Sequence, residues 1–534
     1  MDDALFNHLL ADTPKFNPVV AEGVAMKDVP MAARYIDRIF RCAQTGFPDN
    51  LVYIDSERCT PEEEYRQIVK PRNNKRYYEI TKSDLFLMKY RFEFDGQPID
   101  RYLFLPYLND GALLTLRGST FAVSSVLADR AISVGTNSVF IPLTIARVTF
   151  ERLTHNFIAN GKPETVYVIW SSLHNNRAGK PSVRGLSTLV HYLLCKVGLT
   201  RTFSEYANAD VAVGYEEINE RTYPTDKWVI AHSTAIKPRW LKVRNYVPTK
   251  LRMAIPKQQY NATVASMVGA FFYIADYFPD RVEAEYVDNT RLWKTLLGHL
   301  IFPFGDTEGR QISEGKYVED IDFHLQSLDR YVDEIVKEDL REDGIYCDDF
   351  YELSMYVIER FSTLINHNVE SASSMYGKRL TVLRYLLFDV VSNINTFMFR
   401  VGGNKKTVTL KDVESAMNAL LRPTLIMQVN HRHGEANIIS SAGDNKVFKI
   451  TSTLVSQADT SGRGDSKSKM SVTDPARWLH ASIAEVGSYC NLPKSSPDGR
   501  GRINPYVKLS SDGLIERNEK HHALIDDVQK RIER

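Results

Sequence analysis

Cysteine is scarce in this chain. Its 534 residues hold five, at Cys42, Cys59, Cys195, Cys347 and Cys490, and no two form a Cys-x-x-Cys pair. An odd, scattered set argues against a zinc ribbon or a disulfide framework and fits a reducing cytoplasm. Long apolar runs are also missing. No stretch approaches the roughly 18 consecutive apolar residues of a membrane span, so no membrane partner is expected. The opening Met1-Asp2-Asp3-Ala4 is acidic and lacks the basic stretch of a secretory signal. Net charge is nearly absent too, with 67 Lys and Arg against 66 Asp and Glu. Any role with nucleic acid must therefore rest on local patches.

The usual catalytic signatures are missing as well. The chain has no G-x-x-x-x-G-K-[ST], no H-E-x-x-H and no G-x-S-x-G. Gly499-Arg500-Gly501 lacks the third glycine of a dinucleotide fingerprint. Asn430-His431-Arg432-His433 sets two histidines in a polar turn, a spacing more often solvated than metal-binding. Asp348-Asp349 lacks the D-x-D-x-D spacing that a two-magnesium site needs.

What is present is an ordinary globular composition, 43% hydrophobic and 25% charged, long enough for about three or four domains. Ala32 to Ala43 reads as a helix with Tyr35, Ile36, Ile39 and Phe40 on one face. Pro71 to Asn74 reads as a turn, and Tyr77 to Thr81, Lys89 to Phe94 and Arg101 to Leu108 as strands. Asn109-Asp110-Gly111 then predicts a hairpin into Leu113 to Leu116. Ser138 to Ile145 and Thr165 to Trp170 are rich in β-formers. Residues 262–277 and 290–302 read as helical or buried. Lys316 to Leu340 keeps one helical apolar spacing, Phe350 to Ile365 and Leu380 to Phe399 continue as helices, and Thr409 predicts an N-cap for a helix over Leu410 to Leu421.

Two basic patches stand out. One is Lys70, Arg72, Lys75 and Arg76. The other spans 461–508, with eight cations (Arg463, Lys467, Lys469, Arg477, Lys494, Arg500, Arg502, Lys508) against four carboxylates, Asp465, Asp474, Glu485 and Asp498. The second lies within an ordered series of fragments. Ser452-Thr453-Leu454 comes first, followed by a charged loop from Gln457 to Asp474. Arg477-Trp478-Leu479-His480-Ala481-Ser482 is next, then Cys490-Asn491-Leu492-Pro493 leading to Pro497-Asp498-Gly499. Lys and Arg in such a loop can grip phosphates, small polar residues let it bend, and glycines between arginines allow close backbone approach.

This order resembles the fork region of the β-type subunit of multisubunit DNA-dependent RNA polymerases. There an S-T-L-like element, a charged loop, an R-x-L-H element and a C-P-x-E-T-P-E-G signature follow one another. The strand–turn–strand at Tyr107 to Leu114 resembles a hairpin that lies earlier in the same subunit. Lys494-Ser495-Ser496 departs from the family's acidic residue, and Pro497-Asp498-Gly499 keeps only the chemical type of P-E-G. The chain stops shortly after this region, which in the family lies midway along β. The resemblance therefore implies the N-terminal half of a split β-type subunit, as in giant, phiKZ-like bacteriophages.

The implied fold is α+β and multidomain: a protrusion-like first part over 1–130, a lobe over 131–400, a return to the protrusion over 401–450, and a fork over 451–534. The implied nucleic-acid contacts are Gln457, Arg463, Lys467, Lys469 and Arg477 in the fork loop. His480, Asp498, Arg500, Arg502 and Asn504 would lie near the RNA–DNA hybrid. The chain would take part in nucleotidyl transfer without holding the catalytic metal ligands. It would bind no cofactor itself, and Mg2+ is expected on the β′-type partner. Implied partners are the C-terminal half of β, β′-type fragments, a phage-specific promoter-recognition subunit, template DNA and nascent RNA. Its place would be the bacterial host cytoplasm or a phage replication compartment, with packaging in the virion left open. Two rivals remain open at this point: an accessory or promoter-recognition subunit of such a polymerase, and a virion structural protein.

Overall fold

The computed structural model describes residues 17–44, 47–69, 82–116, 118–123, 125–128, 131–134, 138–143, 147–171, 187–237, 246–301, 314–367, 374–402, 408–421, 439–441, 454–457, 482–487, 500–504, 506–511, 513–520 and 522–523. The chain divides into two compact units. The first gathers Met1–Ala131, Asp333–Asp339 and Glu370–Arg534, and the second takes Ile132–Val332 and Leu340–Val369. Along the sequence, one unit interrupts the other.

In the first unit the helix Ala32–Ala43 forms where its spacing predicts, with Tyr35, Ile36, Ile39 and Phe40 all buried. It packs on an antiparallel sheet of Leu51–Arg58, Leu85–Phe94 and Gln97–Pro106. The Phe40 ring sits 5.2 Å from Tyr53, 5.6 Å from Tyr90 and 5.3 Å from Phe92. Such tilted and edge-on aromatic contacts add to simple area burial.

The hairpin expected at Asn109–Gly111 is corrected here. Gln97–Pro106 pairs with Leu85–Phe94, and Leu113–Leu116 pairs with Ser119–Val123, so only a single bridge, Asn109 to Leu113, spans the turn. The two-residue hairpin lies earlier, at Asp95-Gly96, where both φ angles are positive (49° and 77°). Asp-Gly suits that turn because its twist matches that of the flanking strands.

The expected Lys316–Leu340 helix is also two helices, Glu314–Tyr331 and Glu334–Glu342. Asp333 ends the run. Its Oδ1 accepts from the backbone N of Ile335 (2.9 Å) and Val336 (3.0 Å), the geometry of an N-cap. Leu380 likewise belongs to a short strand, Arg379–Thr381, ahead of the helix Leu383–Gly402. Thr409 caps Leu410–Leu420 in a reciprocal capping box with Asp412. The turn at Pro71 to Asn74 and the strand at Tyr77 to Thr81 fall outside the described residues.

The second unit is built on an eight-stranded antiparallel sheet. Its main path runs Ser187–Thr188, Lys162–Ser171, Arg147–Ala159, Trp228–Ser233, Arg252–Pro256, Ala212–Gly214, and Ser138–Pro142 pairs alongside Arg147–Glu151. The helix Ala262–Tyr277 lies on this sheet and is buried almost throughout, which explains why its sequence is apolar on all sides. Gly269 permits the close approach: a Cβ there would lie 2.4 Å from Val166 Cγ2. No helix among the described residues is long and apolar enough to cross a membrane.

Candidate nucleic-acid interface

The fork-like segment is tied to the first unit through a small sheet of Arg379–Thr381, Ser125–Ala128, Leu454–Gln457 and Arg500–Arg502, in that order. Leu454–Gln457 runs parallel to Ser125–Ala128, with Gln457 opposite Leu127. It runs antiparallel to Arg500–Arg502, with Ser456 opposite Arg500 and Leu454 opposite Arg502. Paired strands thus bound residues 458–499 on both sides, bringing Gln457, Arg500 and Arg502 onto one stem although they are far apart in sequence. Arg463, Lys467, Lys469, Arg477, His480 and Asp498 lie outside the described residues.

Asn504 follows the stem, and its amide is engaged at both ends. Nδ2 donates to the Glu485 carbonyl (3.2 Å) and Oδ1 accepts from Tyr506 N (3.1 Å), while its backbone N donates to the Val486 carbonyl (2.8 Å). Its side chain builds the turn that returns the chain toward Val507.

Behind the stem is an apolar cluster of Val20, Val24, Leu127, Leu380, Val486, Ile503, Val507 and Ile515. Stretches far apart in the sequence supply it, and polar contacts hold them in register. Asn17 Nδ2 donates to the Val507 carbonyl (2.8 Å). Asp28 Oδ2 accepts from Val382 N (2.6 Å), Leu383 N (3.3 Å) and Thr381 Oγ1 (3.2 Å) at the start of the helix Leu383–Gly402. A carboxylate there complements the helix dipole. Burial nevertheless holds the Asp28 carboxyl above its usual range, against the lowering effect of the Val382 and Leu383 amides. Leu380 N donates to the Gly513 carbonyl (2.8 Å), and the Gly513 φ of +79° allows an approach in which a Cβ would lie 2.5 Å from the Leu380 oxygen.

The short helix Ser482–Val486 carries the buried Glu485. Its Oε1 accepts from Asn518 N (3.1 Å), and its Oε2 lies 2.6 Å from His522 Nε2 and accepts from the Tyr376 hydroxyl. Burial pushes this carboxyl up, but the hydrogen bonds from Tyr376, Asn518 and His522 outweigh it and hold Glu485 below the usual range. Burial, with the Glu485 carboxylate as partner, raises the Tyr376 hydroxyl. Sequence reasoning missed this knot. Tyr376 and Glu485 are 109 residues apart, and Glu485 and His522 are 37 apart, so no local spacing announces them.

What the arrangement offers chemically is a braced stem with arginine at two of three positions of its returning strand, and a guanidinium suits phosphate oxygens. Residues 458–499 between its strands carry five Lys or Arg and five Asp or Glu, so phosphate contact would rest on single side chains and not on the segment's net charge. Among the described residues, no group of three or more His, Cys, Asp or Glu side chains could hold a metal ion.

The chain belongs to the non-virion RNA polymerase subunit family, whose model matches residues 3–519. It is accordingly a subunit of an RNA polymerase with a role in transcription, one chain of a nucleotidyltransferase assembly whose other members are further polymerase subunits. No curated protein matches the chain. Of the rival readings, the virion structural protein loses its footing with this membership, since the family is one of transcription.

Proposed function

We propose that this chain is the β-type N-terminal part of a phage RNA polymerase, contributing protrusion, lobe and fork. It walls one side of the DNA cleft, supports strand separation and backs the RNA–DNA hybrid. The observation that carries this reading is the stem itself. Leu454–Gln457 pairs with both Arg500–Arg502 and Ser125–Ala128, so the two ends of the fork-like segment are one structural feature. The interruption of one compact unit by another also supports it, since an inserted lobe within a protrusion has that chain path.

In this reading, Gln457, Arg463, Lys467, Lys469 and Arg477 contact the strand that turns away at the downstream edge of the bubble. Arg500, Arg502, His480 and Asp498 stand near the hybrid, with Asn504 shaping the turn beside them. Magnesium and its carboxylates sit on the β′-type chain, and a C-terminal β-type segment on another chain completes the fold. The assembly works in the host cytoplasm.

The test is omission and mutation in a polymerase reconstituted from its subunits. Without this chain, RNA synthesis should be lost even on a template carrying a pre-melted bubble. Synthesis that persists there, with only promoter use lost, would overturn the reading in favour of an accessory, promoter-recognition subunit. With Lys467→Gln and Lys469→Gln together, permanganate reactivity of the melted strand should fall while duplex binding is largely kept.

A further inference from the structure

The large sheet of the inserted unit has a closed face and an open one. Val166, Val168 and Phe157 lie on the closed face, where a Cβ at Gly269 of the helix Ala262–Tyr277 would stand 2.4, 3.5 and 3.7 Å from them. Buried Asp276 of the same helix clamps the next strand, since its Oδ2 accepts from Ser233 Oγ and lies 3.0 Å from the Tyr246 hydroxyl. Side chains alternate along a strand, so the residues next to these point away from the helix.

On that second face, the register sets Tyr167 opposite Thr154 and Thr165 opposite Asn156. All four are exposed. Pro163, Ile158, His232 and Arg252 form the adjoining row across four strands. The Arg152 guanidinium lies over the Tyr167 ring, 4.5 Å from its centroid, and steadies it. Beyond His232 the loop over 215–227 covers the sheet, with Ile218 packed on Ile230 and Ala254. None of the alternate residues that the strands give this face over 152–158, 163–169, 228–232 and 252–256 is Asp or Glu. Glu217, on the covering loop, is a carboxylate that feels Arg252. The open face of the first unit's sheet is the reverse: Asp55, Glu57, Glu93 and Asp100 stand there with Lys89 and Arg91.

We infer that the open face around Tyr167 binds single-stranded RNA, with a base stacked on the Tyr167 ring and ribose hydroxyls on Asn156, Thr154 and Thr165. An exposed ring on a sheet is a stacking platform for any base. Asn and Thr side chains both donate and accept, which matches a 2′-hydroxyl. A face without carboxylates does not repel the strand's phosphates. Its few cations give little to a duplex, which is held chiefly through its phosphates. The inference rests on membership of an RNA polymerase family and not on the fork reading, because none of its residues belongs to the fork.

The test uses the full-length chain and a single-stranded RNA of about ten nucleotides carrying 4-thiouridine, a length within the usual site size for such strands. Cross-links should map to the strands Arg147–Ala159 and Lys162–Ser171. Tyr167→Ala should weaken binding roughly five- to 150-fold, the usual worth of one stacked base, and Tyr167→Phe, which keeps the ring, should bind as the wild type does. Asn156→Glu with Thr165→Glu places two carboxylates on the face and should weaken binding as well. Unchanged affinity in both Tyr167→Ala and the double Glu variant, or no cross-link to either strand in the wild type, would overturn the inference. An equal loss for DNA of the same sequence would overturn the assignment to RNA. The variant with Lys467→Gln and Lys469→Gln should keep these cross-links, so failure of the fork reading and failure of this inference are told apart.

Discussion

Gly269 shows how a single position can reverse a general rule. In a helix interior, Gly→Ala usually stabilises by about 1 kcal/mol. Here the new methyl would meet Val166, a stiff β-branched side chain that is itself buried in the sheet. Overpacking of this kind costs typically about 1–3 kcal/mol, so Gly269→Ala should lower stability in urea unfolding rather than raise it. Glu485 carries a second prediction. Its carboxyl is held below the usual range, so the stability it contributes is present above its unfolded pKa and is lost as pH falls through the folded one. Glu485→Gln should cost about 1.5–3 kcal/mol at pH 7, the usual worth of hydrogen bonds to a charged group. The gap between wild type and variant should narrow on acidification below about pH 4.5, the unperturbed value. A gap that stays constant with pH in denaturant titrations would show that the charge of Glu485 is not what holds the knot.

Several helices are legible in the sequence because their cause is local. Ala32–Ala43 follows from its apolar spacing and Leu410–Leu420 from its Thr409 cap, and both form as expected. One error has a local cause as well. An unbroken apolar period across Lys316–Leu340 hides Asp333, whose capping oxygen competes with helix continuation. Asp333→Ala removes that cap and should cost roughly 1 kcal/mol in thermal or urea unfolding. Two Asp-Gly pairs, Asp95-Gly96 and Asp110-Gly111, stand close together in the sequence, and it is Asp95-Gly96 that forms the hairpin. Choosing between them needs strand partners, which are tertiary information. The stem of the candidate interface is legible only through the order of its fragments, because the pairing of Ser456 with Arg500 spans more than forty residues of sequence. The Tyr376–Glu485–His522 knot and the Asp276 clamp have no sequence signal. Each joins side chains that only the fold brings together.

Considered as a whole, the chain makes one unit from both of its ends and threads another between them. The apolar cluster behind the stem takes Val20 and Val24 from the beginning and Ile503, Val507 and Ile515 from near the other end. This has a bearing on biosynthesis. At roughly 5–20 residues per second, the helix at Pro18–Glu22 leaves the ribosome tens of seconds before the strands that cover it are made. During that interval the inserted unit can complete its own core, while Val20 and Val24 wait uncovered. The seam beside Asp28 and Gly513 can therefore close only after the segment around Ile503 to Ile515 has been made.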